Sequence, residues 1–190
     1  MPNSNSRGRI YDLHIHLDTH SPVRFSPSDY YVTLLELGIA TAGFVMHDAT
    51  PACEPLEGIA AYFGIERTIP RTGARHMKAD YSLAHATCGH DLADLVGNMV
   101  RERIDILAHP FAPGVLCSDW DYLLDMMSEH TIAIEYNASY GGPAWLYEQA
   151  ESQGVQITFG SDAHSPDQLS IDIPPFITPL SELPFVARRV

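Results

Sequence analysis

The sequence predicts an α/β protein folded as a compact or incomplete β/α barrel. Apolar runs of strand length alternate with segments of helical period from residue 9 onward, and about seven strands recur in this way. Strands separated by helices of about 10 to 15 residues are typical of parallel βαβ units. The chain has neither a GxGxxG nor a GxxxxGK[ST] turn, which disfavours an open nucleotide-binding sheet. Complete barrels take about 250 residues, so a chain of 190 residues favours a shortened one.

Each element is predicted from its hydrophobic period and from the residues at its ends. Helices are predicted where apolar residues recur on one face, as Leu92, Leu95 and Met99 do, and where a glycine such as Gly154 follows the run. The remaining apolar runs of strand length are predicted to be extended. The predicted strands are 9–16, 42–47, 63–69, 75–82, 104–108, 132–136 and 155–159. The predicted helices are 28–37, a short one at most within 55–62, 91–103, 119–128 and 143–153.

Composition and charge exclude several classes of function. The chain has 11 basic and 24 acidic residues, a net charge of −13, which argues against a nucleic-acid surface and against binding to anionic membranes. The apolar runs are far shorter than the roughly 20 residues of a membrane span, and the polar start does not read as a signal peptide. The three cysteines form no CxxC pair, so we expect a reduced, cytoplasmic setting. We expect a disordered tail over 1–8 and a single catalytic domain over 9–190.

Seven of the ten histidines lie in short segments that read as strand ends. Barrel enzymes carry their chemistry at the carboxyl ends of the strands, so these side chains are expected to meet at one rim. Imidazoles and carboxylates collected there predict a multinuclear metal site. His14 and His16, two residues apart on a strand, project from the same face and can bind one ion. The segments contain His14, His16 and His20, then His47, His76, His109, and the pair Asp162 and His164.

Two positions allow alternative interpretations, namely the partner of Glu66 and the histidine that binds beside it. Glu66 interrupts an apolar strand, and because an unpaired buried carboxylate is costly, it must meet either a cation or an arginine such as Arg67 or Arg71. We favour a carboxylate that bridges two metal ions. His76 and His85 both follow extended segments, and we favour His76 as the ligand because ten residues after Glu66 suit a short hairpin.

Taken in order, these motifs resemble the PHP family of polymerase and histidinol phosphatase domains. The matching segments run from Asp12-Leu-His-Ile-His16 through Gly-Ile-Glu66, Leu-Ala-His109-Pro and Glu135-Tyr-Asn137 to Gly-Ser-Asp162-Ala-His164. The resemblance implies a distorted seven-stranded barrel with a trinuclear metal centre at its C-terminal rim. It implies one ion on His14, His16, Glu66 and Asp162, a second on Glu66, His76 and His109, and a third on His20, His47 and His164. Met46 departs from the Asp that many members have there, and Asp18 could replace His20 as a ligand.

The expected function is hydrolysis of a small phosphate mono- or diester with two or three zinc, manganese or iron ions. Divalent ions lower the pKa of bound water from about 15.7 to about 7, and the hydroxide that bridges two ions can attack phosphorus. The expected catalytic residues are Glu66, Asp162 and His164. The residues expected to bind substrate are Arg24, Arg67, Arg71 and Asn137. Glu135 and Asn137 alternate to one side of a late strand, where they either have a functional role, supporting the site or facing the substrate, or contribute only rim polarity. The expected partner is a small phosphorylated metabolite, and self-association could cover exposed apolar edges.

Two further hypotheses compete with this one. Related His-rich barrels hydrolyse amides or lactones and often use a carboxylated lysine as the bridge, but Lys78 is the only lysine and Glu66 is better placed. A domain of this kind can also bind metal without turnover and serve a partner chain structurally. Because the chain retains nearly every ligand of the motif set, we favour an active enzyme.

Overall fold

The computed structural model describes residues 10–18, 24–51, 55–69 and 78–187. Seven parallel strands form one sheet in sequential order from β1 to β7. The sheet curls until the segment after β7 meets β1, where the His16 amide donates to the Ala163 carbonyl at 2.8 Å and the Asp162 amide donates to the His14 carbonyl at 2.8 Å. The predicted seven-stranded TIM-like barrel is therefore confirmed as a nearly closed barrel. The strands are β1 (Tyr11–His16), β2 (Thr41–His47), β3 (Ala60–Arg67), β4 (Tyr81–His85), β5 (Ile106–Ala108), β6 (Ala133–Asn137) and β7 (Ile157–Gly160).

Helices connect most of the strands. Before the second helix, the Asp91 carboxylate accepts from the Ala93 amide at 2.9 Å, and Leu92, Leu95 and Met99 are buried as their spacing predicts. None of the helices in the described ranges is long and apolar enough to cross a bilayer. The helices are α1 (Pro27–Leu37), α2 (Leu92–Glu102), α3 (Trp120–Glu129), α4 (Ala144–Ser152) and α5 (Pro184–Ala187), with two 3₁₀ turns at Pro166–Gln168 and Leu180–Glu182.

The predicted and observed elements differ most around the third and fourth strands, and the third strand runs over Ala60–Arg67 rather than 63–69. The short helix within 55–62 is wrong, because β3 already begins at Ala60 and pairs with β2 from Thr41↔Ala60 to His47↔Glu66. The alanines there suit a helix locally, but pairing along the whole neighbouring strand overrides that preference. The fourth strand runs from Tyr81 to His85 rather than over 75–82. Residues 70–77 and the predicted tail over 1–8 lie outside the described residues.

Tyr81 crosses the barrel interior and joins β4 to β1. Its hydroxyl donates to the Leu13 carbonyl at 2.5 Å, in the part of β1 where the pairing with β2 shifts by one residue. The ring fits because Gly43 and Gly64 lie beneath it: a Cβ on Gly64 would lie 2.5 Å from Cζ of Tyr81. This contact fixes the backbone next to His14.

Candidate metal centre

The carboxyl ends of the strands bring seven ionisable side chains around one carboxylate. β1 and β2 end at histidines, Glu66 is the second-last residue of β3, and β4 ends at a histidine. The loops after β5 and β7 add three more groups. Every donor therefore lies at the rim where barrels carry their chemistry. The side chains around Glu66 are His14, His16, His47, His85, His109, Asp162 and His164.

Glu66 is buried and its two oxygens face five imidazoles. Oε1 lies 2.7 Å from Nδ1 of His85 and 2.9 Å from Nε2 of His109. Oε2 lies 3.2 Å from Nε2 of His16 and 3.2 Å from Nε2 of His47. Nε2 of His14 is 3.6 Å from Oε1. Glu66 therefore lies at the centre of the cluster of imidazoles.

The arginine alternative for Glu66 does not agree with this geometry. Arg67, the next residue of β3, projects the other way and its guanidinium lies 4.0 Å from the Glu102 carboxylate on α2. Arg67 therefore does not pair with Glu66, nor does it reach the rim as the expected phosphate contact. Arg71 lies outside the described residues.

Asp162 completes the group from the segment after β7. Its Oδ1 lies 3.3 Å from Nε2 of His16, 3.6 Å from Nε2 of His14 and 3.8 Å from Nδ1 of His164. Asp162 has a φ of +58° and His109 a φ of +32°, so both residues hold left-handed backbone that side chains other than glycine rarely adopt. Such strain concentrates at functional sites.

The donor atoms have the chemistry and spacing that divalent transition metals require. Three sets of three groups each place their ligand atoms within 4.8 Å of one another: His14, His16 and Glu66; His47, Glu66 and His85; and His16, His47 and His164. Two nitrogens on a tetrahedral zinc ion lie about 3.3 Å apart, given Zn–N bonds of about 2.0 Å. Oε2 of Glu66 is buried and faces Nε2 of His16 and Nε2 of His47 at 3.2 Å each, so two nitrogens and one oxygen converge within reach of one cation. The residues therefore fit a metal site of mixed nitrogen and oxygen ligands.

The carboxylates around His14 and His16 raise the pKa of both imidazoles. Burial lowers the pKa of His14, but the carboxylates of Glu135, Asp162 and Glu66 outweigh burial and raise it well above its ordinary value. Burial likewise opposes protonation of His16, yet hydrogen bonds to Asp162, Asp18 and Glu66 raise its pKa to about 10. The negative charge that raises these pKa values would equally favour a bound cation.

Glu135 contacts two of the candidate ligands, His14 and His109. Its Oε1 lies 2.8 Å from Nδ1 of His14, and its Oε2 accepts from the His109 amide at 2.8 Å and from Nδ2 of Asn137 at 3.1 Å. The Glu135 and His14 side chains meet over Gly160, where a Cβ would lie 2.0 Å from Oε1 of Glu135. Of the two interpretations left open for Glu135, the structure therefore selects support of the site.

Asn137 has a different role from the one expected. The residue is fully buried, its amide nitrogen donates to Glu135, and its Oδ1 accepts from the Ser139 amide at 2.9 Å. Both polar ends are occupied inside the protein, so Asn137 supports Glu135 instead of meeting substrate.

Asp18 orients two more imidazoles. Its Oδ1 lies 3.2 Å from Nδ1 of His16 and its Oδ2 lies 3.1 Å from Nδ1 of His47, while the Nε2 atoms of both rings face Glu66. Burial raises the pKa of Asp18, but the two histidines outweigh it and hold the pKa below its ordinary value. An ionised carboxylate on the Nδ1 side favours the tautomer in which Nε2 of each ring would bind a cation.

The structure brings most of the predicted ligands together and includes His85, the less favoured alternative to His76. His85 lies 2.7 Å from Glu66, whereas the favoured His76 lies outside the described residues, as does His20. The signal for His85 was present in the sequence, because it is the last residue of a strand, as His16 and His47 are. Arg24 is exposed and its backbone forms an isolated antiparallel bridge with Asp18.

Comparisons with known proteins support the fold. No family model matches the chain, and no curated protein matches it. Among solved structures, it is similar to histidinol phosphate phosphatase from Lactococcus lactis, determined with zinc, L-histidinol and phosphate, with a TM-score of 0.57 and 13% identity over 82% of this chain and 86% of that chain. A chain of an archaeal ribonuclease P bound to mature tRNA has a TM-score of 0.49 and 16% identity over 83% of this chain and 77% of that chain. The first of these agrees with the barrel expected from the PHP resemblance.

Proposed function

We propose that this protein is a metal-dependent phosphoesterase that hydrolyses a small phosphate mono- or diester at a centre of two or three zinc, manganese or iron ions. The observation that carries the proposal is the convergence of five imidazoles on the two oxygens of a single buried carboxylate, Glu66. The likeness to a phosphatase that was determined with zinc and phosphate supports the choice of reaction.

The described residues divide into three neighbouring ligand groups. His14 and His16 with Glu66 and Asp162 would hold one ion, and His85 and His109 with Glu66 would hold a second. His47 and His164 would contribute to a third, to which the proposed ligand His20 belongs. His76 stays a proposed ligand of the second ion. Bound divalent ions lower the pKa of coordinated water and neutralise phosphate oxygens.

The other roles in the proposed reaction belong to the protein's own side chains. Glu66, fully buried, fixes the distance between neighbouring ligand groups. The side chains of Asp162 and His164 are 13% and 26% exposed and border the cleft above the site. They are the groups placed to exchange a proton with the leaving group. Arg24 and Arg71 stay proposed contacts for the phosphate, since guanidinium groups bind it in bidentate fashion.

Turnover by matched variants tests the proposal. Purified protein loaded with zinc, manganese or iron is assayed with p-nitrophenyl phosphate and bis(p-nitrophenyl) phosphate. Asp162→Ala and His109→Ala are each expected to lower kcat/KM at least about a hundredfold, because both remove a ligand of the reaction centre. His130→Ala, an exposed histidine after α3, is the control and is expected to retain full activity.

Three results would contradict the proposal. Equal rates in all variants would place the activity elsewhere. Bound metal without turnover of any phosphate ester would favour a structural metal-binding module. Hydrolysis of amides or lactones in preference to phosphate esters would favour the related barrel hydrolases. If the protein hydrolyses the model phosphate esters, a screen over sugar phosphates, nucleotides and histidinol phosphate would identify the substrate.

A further inference from the structure

The cleft above Glu66 has an ionisable floor and an uncharged wall. Its volume is about 260 Å³, at the small end for a ligand pocket. The floor is formed by His47, His85, His109, Asp162 and His164. The wall is formed by Ala86, Thr87, Cys88, Ala112, Pro113 and Tyr140. None of these described wall residues carries a charge, so they offer neither a cation nor an anion to the part of a substrate that extends beyond the phosphate.

Tyr140 is the largest side chain of this wall and sits on a turn that is fixed at both ends. The Gly141 amide donates to the Asn137 carbonyl at 2.8 Å, and the hydroxyl of Ser139 donates to the Ser161 carbonyl at 3.2 Å. The hydroxyl of Tyr147 also donates to the Gly141 carbonyl at 3.2 Å. These contacts on either side of Tyr140 hold the turn in place, which places the tyrosine at a defined position on the cleft.

The Tyr140 ring is open to the cleft. Its residue is 44% exposed, and its ring centroid lies 5.9 Å from the His109 ring at an interplanar angle of 62°. A large aromatic side chain that is fixed by its turn, yet uncovered next to a metal ligand, is a contact surface for a ligand rather than part of the core.

The charge of the chain also restricts what this wall can bind. The protein carries a net charge of −13, and the described wall residues supply no cation that could pair with a second anionic group. A leaving group with further phosphates or carboxylates would lose hydration here without gaining a partner. A neutral ring would instead bury apolar surface against Tyr140 and the prolyl and alanyl side chains.

We infer that Tyr140 and the uncharged wall form the leaving-group subsite, and that the substrate is a phosphate ester of a small, neutral, ring-containing alcohol. This inference rests on the proposed function, because the phosphate must lie over the Glu66 centre for its ester group to reach the wall. Tyr140 is then a specificity-determining residue.

Binding of two non-hydrolysable analogues to the metal-loaded protein tests the inference without relying on turnover. Phenylphosphonate and methylphosphonate present the same phosphonate group and differ in the ring. Isothermal titration calorimetry is expected to show phenylphosphonate bound about three- to tenfold more tightly, the range of an aromatic pair. 4-Carboxyphenylphosphonate is expected to bind no more tightly than methylphosphonate, because the wall offers its carboxylate no partner.

Variants locate the preference on the ring of Tyr140. Tyr140→Ala is expected to bind the two analogues equally while its affinity for methylphosphonate stays unchanged, which also shows that the variant is folded. Tyr140→Phe keeps the ring and is expected to keep the preference. Tyr122→Ala is the matched control, because Tyr122 is 57% exposed but lies on α3 away from the cleft. It is expected to behave as the parent protein.

The outcomes separate this inference from the proposed function. Equal affinities for the two analogues in the parent protein, or an undiminished preference in Tyr140→Ala, would overturn the leaving-group subsite while leaving a phosphoesterase in place. Failure of the metal-loaded protein to bind methylphosphonate would overturn both, because the Glu66 centre would then not be a phosphate site.

Discussion

Substitution of Glu135 by glutamine tests whether Glu135 keeps the proposed ligand His14 in the protonation state that metal binding requires. The change preserves the shape of a fully buried side chain that contacts His14 and the His109 amide. For His14 to bind a cation through Nε2, its proton must lie on Nδ1, where the Glu135 carboxylate accepts it at 2.8 Å. A carboxylate can accept at both oxygens, but an amide can accept at only one.

The two possible orientations of the glutamine amide determine how much metal affinity is lost. If its oxygen accepts from the His109 amide and Asn137, its NH₂ group faces Nδ1 of His14 and places the imidazole proton on Nε2, which blocks the metal. If the amide is flipped, its NH₂ group faces two buried donors, at a cost of about 1–3 kcal/mol. Either orientation is expected to weaken metal binding about 10- to 100-fold, which corresponds to about 1.4–2.7 kcal/mol.

A competition titration against a chromophoric zinc chelator at pH 7 measures this effect. Asp105→Asn is the matched control, because Asp105 is also a buried carboxylate and accepts from the amide and hydroxyl of Ser82 at 2.9 Å each, away from the cleft. This control is expected to lose stability without losing zinc affinity. Unchanged zinc affinity in Glu135→Gln, or an equal loss in both variants, would refute the proposed role of Glu135.

Three other predictions concern packing, ligation and pH. In urea denaturation, Gly160→Ala is expected to lower the free energy of unfolding by about 1–3 kcal/mol, because its Cβ would lie 2.0 Å from Oε1 of Glu135. The control Gly97→Ala in α2 meets no atom within 4 Å and is expected to raise the free energy of unfolding by about 0.5–1 kcal/mol. Equal effects of the two substitutions would argue against the close contact at Gly160. His85→Ala is expected to lower the bound metal per chain measured by plasma emission, and His130→Ala is not; full occupancy in His85→Ala would exclude His85 as a ligand. The pKa of His16 is raised from 6.5 to about 10 in the folded protein, so protonation of His16 stabilises the fold fully below pH 6.5. This stabilisation is lost as the pH rises through 10. The Tm of the metal-free protein is therefore expected to fall between pH 6.5 and 10. A Tm of metal-free protein that rises over the same range would contradict this sign.

The barrel could be predicted because its strands and helices differ in hydrophobic period. Helix α2 shows the clearest case: Asp91 caps it and Leu92, Leu95 and Met99 are buried on one face. The start of β3 could not be predicted in the same way. Ala60 and Ala61 have no strand preference of their own, and they are extended because β2 lies beside them over its whole length.

The site could be predicted as far as residue type and strand position determine it. Histidines at strand ends indicated the rim, and Glu66 stood out as an acidic residue in an apolar run. The roles of Glu135 and Asn137 needed coordinates, because periodicity places both on one side of β6 without saying which atoms they meet. Arg67 was misplaced for a related reason: neighbouring strand residues face opposite sides, so a Glu66 at the centre directs Arg67 away from it.

The central claim is that the imidazoles around Glu66 share cations through its two oxygens. Anomalous diffraction at the zinc absorption edge, from crystals of the zinc-loaded protein, tests this claim most directly. Two or three anomalous peaks are expected beneath the cleft, with one on each side of the Glu66 carboxylate and each about 2.0–2.2 Å from its nitrogen and oxygen ligands. Peaks confined to surface histidines, or a Glu66 carboxylate that contacts no peak in fully loaded crystals, would contradict it.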